Sequence, residues 1–263
     1  MWGIIPAAGR GTRIQPLAFS KELLPVGCQG GSNSNPERPR AISEYLVDRM
    51  LLAGVNKICF VISPRKLDIV RYYSASERPI SLYYAIQPEP AGLCDAIFRA
   101  LPLIAPDELA IVGLPDTIWY PAEALRSLGT HPFSFLLFPV DQPQFFDSVV
   151  TGDDERVLGI YTKYQDPPSR WIWGAFQVSG WILRELCSLW RQRGCQDQYI
   201  GPLVNEFLKR GGQDRAVRAG EAYYDVGTLR GYRKAMQIAT TAAREDRLPI
   251  DQQPGAETDV PAG

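Results

Sequence analysis

The chain has 263 residues, 45% hydrophobic and 22% charged, with a formal net charge of −1. That length is ample for a buried core in one large domain or two intimate ones, and the near-neutral balance excludes a global basic field for nucleic acid. Five cysteines without zinc-ligand spacing, no signal-peptide pattern and no membrane-length apolar run predict a cytoplasmic protein with free thiols and no membrane or nucleic-acid partner.

In chain order, an apolar strand at 2–6 leads into Ala7, Ala8, Gly9, Arg10, Gly11, Thr12 and Arg13, with Lys21 following before a second apolar run. A strand followed by a glycine-rich basic turn is a phosphate-cradle layout, because glycines let backbone N–H groups approach a polyphosphate and cations balance its charge. Lys followed by Ser or Thr at the P-loop distance is absent, and the dinucleotide fingerprint lacks its third glycine. The plain alternative is a tight turn with surface Arg and Lys. Residues 28–40 have loop composition. A helix at 41–53 has Ile42, Tyr45, Leu46, Met50 and Ala53 on one face, closed by Gly54. Strand 57–63, a short helix around 67–73 and strand 80–86 continue a β-α-β-α-β alternation. This predicts a parallel sheet with helices on both faces and ligands outside the carboxyl ends of the strands.

Gln87 to Gly92 form a Pro-rich turn before a helix at 94–101. Gln87 carries a donor and an acceptor, and Gly92 lets the backbone approach a neighbour closely; the plain alternative is a Pro-rich turn before the helix. Strand 109–114 ends in Asp116, placed either to hold a hard cation or to cap a helix expected at 121–128. Strand 133–140 is apolar throughout. The second half then reads as antiparallel, with strands at 147–151, 157–163 (ending in Lys163) and 171–178. Gly174 in the last of these is read equally as a close approach to ligand or as a bulge. Helices at 181–193 and 202–210, a strand at 216–219 and a helix at 231–240 capped by Thr228 complete the folded part. His131 beside Pro132 reads as a loop residue. The tail 250–263 is polar and rich in Pro and Gly, which predicts disorder. The fold class is therefore α/β: a Rossmann-like, mixed but mostly parallel sheet with a smaller antiparallel part. One domain is expected over 1–249, in two halves at about 1–140 and about 141–240, which the resemblance given next implies to be nucleotide-binding and sugar-binding.

Ala-Ala-Gly-x-Gly-Thr-Arg after an apolar strand, the Pro16-Leu17 pair, Lys21 and Leu24-Pro25 together resemble the signature of the sugar-1-phosphate nucleotidyltransferases. Tyr223-Tyr224-Asp225-Val226-Gly227-Thr228 resembles the same family's second motif, and the likeness spans roughly 2–236. It implies transfer of a nucleoside monophosphate, from dTTP or UTP, to a sugar 1-phosphate. Arg13 and Lys21 would be catalytic. Ala7, Ala8, Gly9, Gly11, Thr12, Gln87 and Gly92 would bind nucleotide. Gly174 and Lys163 would meet the sugar phosphate, and Asp116 and Asp225 would hold Mg²⁺. A homodimer or homotetramer is also implied. Ser20, Pro115 and Thr162 replace the family's proline, glycine and glutamate, and residues 28–40 are longer than usual. A non-catalytic sugar-nucleotide sensor and a transferase for a non-sugar phosphate stay open as alternatives.

Overall fold

The computed structural model describes residues 1–30, 37–75 and 78–245. Its elements in chain order begin with β1 (Trp2–Pro6), β2 (Pro25–Gln29), β3 (Arg38–Ala41), α1 (Ile42–Leu52), β4 (Lys57–Ile62), α2 (Leu67–Ser74), β5 (Ser81–Ile86) and α3 (Leu93–Arg99). They continue with β6 (Leu109–Gly113), β7 (Thr117–Tyr120), β8 (Phe133–Pro139), β9 (Asp147–Thr151), β10 (Val157–Thr162) and β11 (Trp171–Ser179). The last are α4 (Gly180–Gln192), α5 (Ile200–Lys209), β12 (Arg215–Val217), β13 (Ala222–Asp225) and α6 (Leu229–Glu245).

Among the described residues one nine-stranded sheet runs β10-β9-β11-β6-β1-β4-β5, with β8 joined to β11 and β12 to β8. Strands β6, β1, β4 and β5 are parallel. Strand β11 enters antiparallel beside both β6 and β8, so the two halves of the chain share a single sheet. Alternation along β1 explains its uninterrupted apolar run: a strand covered on both faces has no polar side. Ile4 packs in one layer with Ile97, Ile182 and Leu203 from α3, α4 and α5. Ile5 packs in the other with Leu46 and Ile69 from α1 and α2. Both are fully buried, and burial of each stabilises by roughly 1.5–3 kcal/mol.

A third, smaller cluster joins Val26, Ile118, Val226 and Ala235, tying β2, β7 and α6 to α1. This layer departs from the sequence expectation in two places. Residues 28–40 are not wholly loop: β2 and β3 form an antiparallel pair with Cys28 opposite Pro39, and residues 31–36 lie outside the described residues. Arg38 fastens β3 by donating to Glu44 Oε1 at 2.7 Å, while the fully buried Glu44 accepts from the Ala41 amide at the start of α1. The helix expected at 121–128 is only a 3-10 turn at Ala124–Leu128. The preceding residues form β7, as Thr-Ile-Trp-Tyr suits a strand better than a helix. The expected disorder of 250–263 falls outside the described residues. Of the thiols, all free, Cys59, Cys94 and Cys187 are buried and Cys28 and Cys195 exposed.

Candidate active site

Strand order decides where the site lies. Strand β1 has β6 on one side and β4 on the other; the chain continues from β1 to β4 and β5 on one side, while β6 is followed by strands that join the sheet on the other, a switch point that places a crevice at the carboxyl end of β1. A cavity of about 750 Å³ occupies it. Ala8, Gly9, Gly11, Thr12 and Arg13 line one end, and the backbone N–H groups of Ala8 to Thr12 have no acceptor among the described residues. Ala7 lies behind the turn: its amide donates to the Val61 carbonyl and its own carbonyl accepts from Lys66. Gly11 has φ +63, and a Cβ there would stand 2.9 Å from Lys21 Cδ, so this turn admits only glycine while it packs on the lysine stem.

Asp116 and Asp225 come together through the β7–β13 pair. Thr117 opposes Asp225, and the Val226 amide donates to the Asp116 carbonyl at 2.8 Å. Each carboxylate faces a cation: Lys21 Nζ is 2.5 Å from Asp116 Oδ2, and Arg13 is 3.0 Å from Asp225 Oδ2. Burial opposes ionisation of Asp116, but Lys21 and Arg13 outweigh it and hold the carboxyl below its ordinary value. Burial likewise opposes the Lys21 ammonium, and Asp116 and Glu22 outweigh it and raise the pKa. Lys21 is fixed from behind. The Ser20 amide and hydroxyl both donate to Asp68 at 2.6 Å. Lys66 donates to both oxygens of Glu22 at 2.8 Å and to the Ala7 carbonyl. Ser20, where the family has proline, thus has a structural partner.

Gln87 is 3% exposed, and its Nε2 donates to the Gly92 carbonyl (3.0 Å) and to Asp95 Oδ2 (2.8 Å). Both its N–H donors are therefore committed, and Oε1 is the atom left for a ligand. This narrows the donor-and-acceptor role read from the sequence. Gly92 has φ +98 and lies against the Gln198 backbone, 2.7 Å from where its Cβ would be.

At the other end Lys163 lines the cavity with φ +48, and its Nζ donates to the Tyr199 hydroxyl at 2.8 Å. Gly174 does not line the cavity. It lies where the β11–β8 register slips between Trp173 and Ala175, and its Cβ would stand 2.5 Å from the Phe138 ring and 2.8 Å from the Tyr223 ring. The bulge alternative describes its place. Eleven of the thirteen residues singled out from the sequence therefore line one cavity; Ala7 and Gly174 do not. The neighbouring Trp173, with Phe145, Phe146, Asp147, Tyr199 and Tyr223, also lines the cavity and was not singled out. Only Tyr223, two residues before Asp225, carried a motif signal.

A model of the nucleotidyl transferase family matches residues 2–242. The chain belongs to that family. It is 26% identical over 261 residues to a glucose-1-phosphate thymidylyltransferase of Neisseria meningitidis, covering 95% of this chain and 86% of the relative. It is 23% identical over 257 residues to the UTP–glucose-1-phosphate uridylyltransferase AglF of Haloferax volcanii, covering 93% and 100%. The fold is that of a UDP-glucose pyrophosphorylase from Acinetobacter baumannii, with a TM-score of 0.72 at 19% identity over 93% of this chain and 99% of the other.

Whether the two aspartates suit the magnesium ion implied by the family resemblance is answered at Gly227. A Cβ there would stand 2.6 Å from Asp116 Oδ2 and 2.9 Å from Asp225 Oδ1, so both carboxylates face one small space beside Gly227. Two hard oxygen donors beside a polyphosphate cradle fit Mg²⁺, which takes one or two carboxylates together with substrate phosphates. Among the described residues no group of three His, Cys, Asp or Glu forms an all-protein cage.

Proposed function

We propose that the protein joins the nucleoside monophosphate of dTTP or UTP to a sugar 1-phosphate, releasing pyrophosphate and forming a nucleotide sugar. The observation that carries this reading is the meeting of five unpartnered backbone N–H groups with two cation–carboxylate pairs at the carboxyl end of β1. The names of the relatives support the substrate classes.

The attacking group is already an anionic phosphate oxygen, so no general base is needed. The difficulty is to hold two polyanions in line, and positioning and electrostatics supply most of the catalysis. The N–H groups of Ala8 to Thr12 would cradle the triphosphate. Lys21 would leave Asp116 for the α-phosphate as negative charge builds there, and the forked guanidinium of Arg13 would hold the departing pyrophosphate. Lys163 would hold the acceptor phosphate. Gln87 Oε1 would accept the imide N–H of thymine or uracil. Asp116 and Asp225 would hold Mg²⁺; bound there, the ion supplies charge neutralisation to the phosphates. Assembly as a homodimer or homotetramer and a cytoplasmic location belong to the same reading.

The test is to incubate the protein with Mg²⁺, each of dTTP, UTP, CTP, ATP and GTP, and a set of sugar 1-phosphates, and to identify products by mass. A nucleotide sugar from dTTP or UTP is expected. Binding of nucleotide without any product would contradict the reading and favour a sensor.

A further inference from the structure

Four carboxylates line the cavity: Glu22, Asp116, Asp147 and Asp225. Three are ion-paired, Glu22 to Lys66, Asp116 to Lys21 and Asp225 to Arg13. Asp147 is the exception. The Trp173 indole N–H donates to its Oδ2 at 3.2 Å and the Thr162 side chain also favours its charged form, but among the described residues no cation lies within ion-pair distance of it. Lys163 is near enough to favour its ionised form, but the ammonium is bonded to the Tyr199 hydroxyl and stands 4.5 Å from that ring's centre.

An unpaired acid is out of place in a cleft that must gather two polyanions, since it repels both. The aspartates proposed for the metal do not account for it, because the three acids form no common cluster. Around Asp147 the walls are aromatic. Trp173 is 6% exposed, and Phe146 stands edge-on to Tyr223 at 5.8 Å. A carboxylate among aromatic rings, with little water around it, attracts an organic cation more strongly than one in open solvent does. Thr162, opposite Asp147 in the β9–β10 pair, is uncharged and supplies no cation at this end.

We infer that the acceptor is a sugar 1-phosphate bearing a protonated amino group, which Asp147 pairs while Lys163 holds the phosphate. This rests on the nucleotidyl-transfer reading and deepens it: the acceptor supplies the cation that the protein withholds from Asp147. A neutral hexose could place only hydroxyl donors there.

The experiment compares glucose 1-phosphate with its 2-amino, 4-amino and 6-amino counterparts and their N-acetylated, neutral forms. It is run at about pH 6.5, below the ordinary range of an α-amino group and of sugar amines related to it. The readout is kcat/KM in pyrophosphate release by the wild-type protein and by Asp147→Asn. At least one amino compound is expected to exceed glucose 1-phosphate by about tenfold or more, the size of one charge-assisted hydrogen bond. Acetylation should abolish that advantage, and Asp147→Asn should bring the ratio close to one. Equal or better turnover of glucose 1-phosphate, or an advantage that survives acetylation, would overturn the inference and leave nucleotidyl transfer standing. Silence with every acceptor would instead bring down the transfer reading, and the inference with it. The wild-type comparison decides the matter even if the variant does not fold.

Discussion

The two ends of the cavity hold their acids in opposite ways. At the phosphate end Asp116 is buried, yet Lys21 and Arg13 pull its pKa below the ordinary carboxylate value. At the acceptor end burial wins: Asp147 is pushed up, with Trp173 and Lys163 only partly offsetting it. The same residue type, in the same cleft, has its pKa lowered by neighbouring cations at one end and raised by burial at the other. The contrast teaches that the Asp116 end has its charges balanced within the protein, by Lys21 and Arg13, whereas the Asp147 end does not; under the proposed function the ligand supplies what is missing there.

The largest effect should come from breaking the charged end. Lys21→Ala should cost about 2.7–4 kcal/mol of transition-state stabilisation, roughly 10²–10³ in kcat, read by initial rates at saturating substrates. Arg13, more than half exposed, should cost less when changed to Ala. A near-normal rate for Lys21→Ala would end the contrast, since that cation would then be only a structural partner for Asp116. Next come Asp116→Asn and Asp225→Asn. Each should raise the Mg²⁺ needed for half-maximal rate by roughly tenfold or more; an unchanged titration would remove the metal from the account.

How much of this was legible follows from distance along the chain. The phosphate end was readable because Gly9, Gly11, Arg13 and Lys21 are neighbours in sequence, and their spacing alone implies a turn with two cations. Asp225 was readable because it repeats a local pattern. The acceptor end is assembled from β9, β11 and the segment before α5, so Asp147, Trp173 and Tyr199 meet only through the antiparallel register. Phe-Phe-Asp at 145–147 announces nothing by itself. Gly174 stayed open between two readings for the same reason: whether a strand glycine faces ligand or lies in a bulge is set by the neighbouring strand, here β8. The parallel half of the sheet was legible from its apolar runs, while the β2–β3 pair depends on Arg38 reaching Glu44, which no local pattern encodes.

Two smaller effects sharpen the comparison. Asp68→Asn should loosen the Ser20 anchor and lower kcat by about one order of magnitude, with KM for the triphosphate little changed, as loss of one or two hydrogen bonds of about 0.5–1.5 kcal/mol each would do. An equal loss in melting temperature with no change in kcat would show that Asp68 serves the fold rather than Lys21. Far from the cavity, Asp214 is 5% exposed and burial pushes its pKa up to about 6. The folded state therefore binds its proton more tightly than the unfolded chain. Its contribution to stability is unimpaired below the unfolded value near 3.8 and is lost as pH rises through about 6. Asp214→Asn should then stabilise the protein by about 2–3 kcal/mol at pH 7.5 and by almost nothing at about pH 4, measured by denaturant unfolding. A pH-independent effect would remove the buried-acid reading.

The most direct measurement is pyrophosphate release from dTTP and UTP with the sugar 1-phosphate series, with and without Mg²⁺, for the wild-type protein beside Lys21→Ala. The account predicts metal-dependent release by the wild type and a drop of about 10² or more in the variant. Release that ignores both the metal and Lys21, or no release with any pair of substrates, would contradict it.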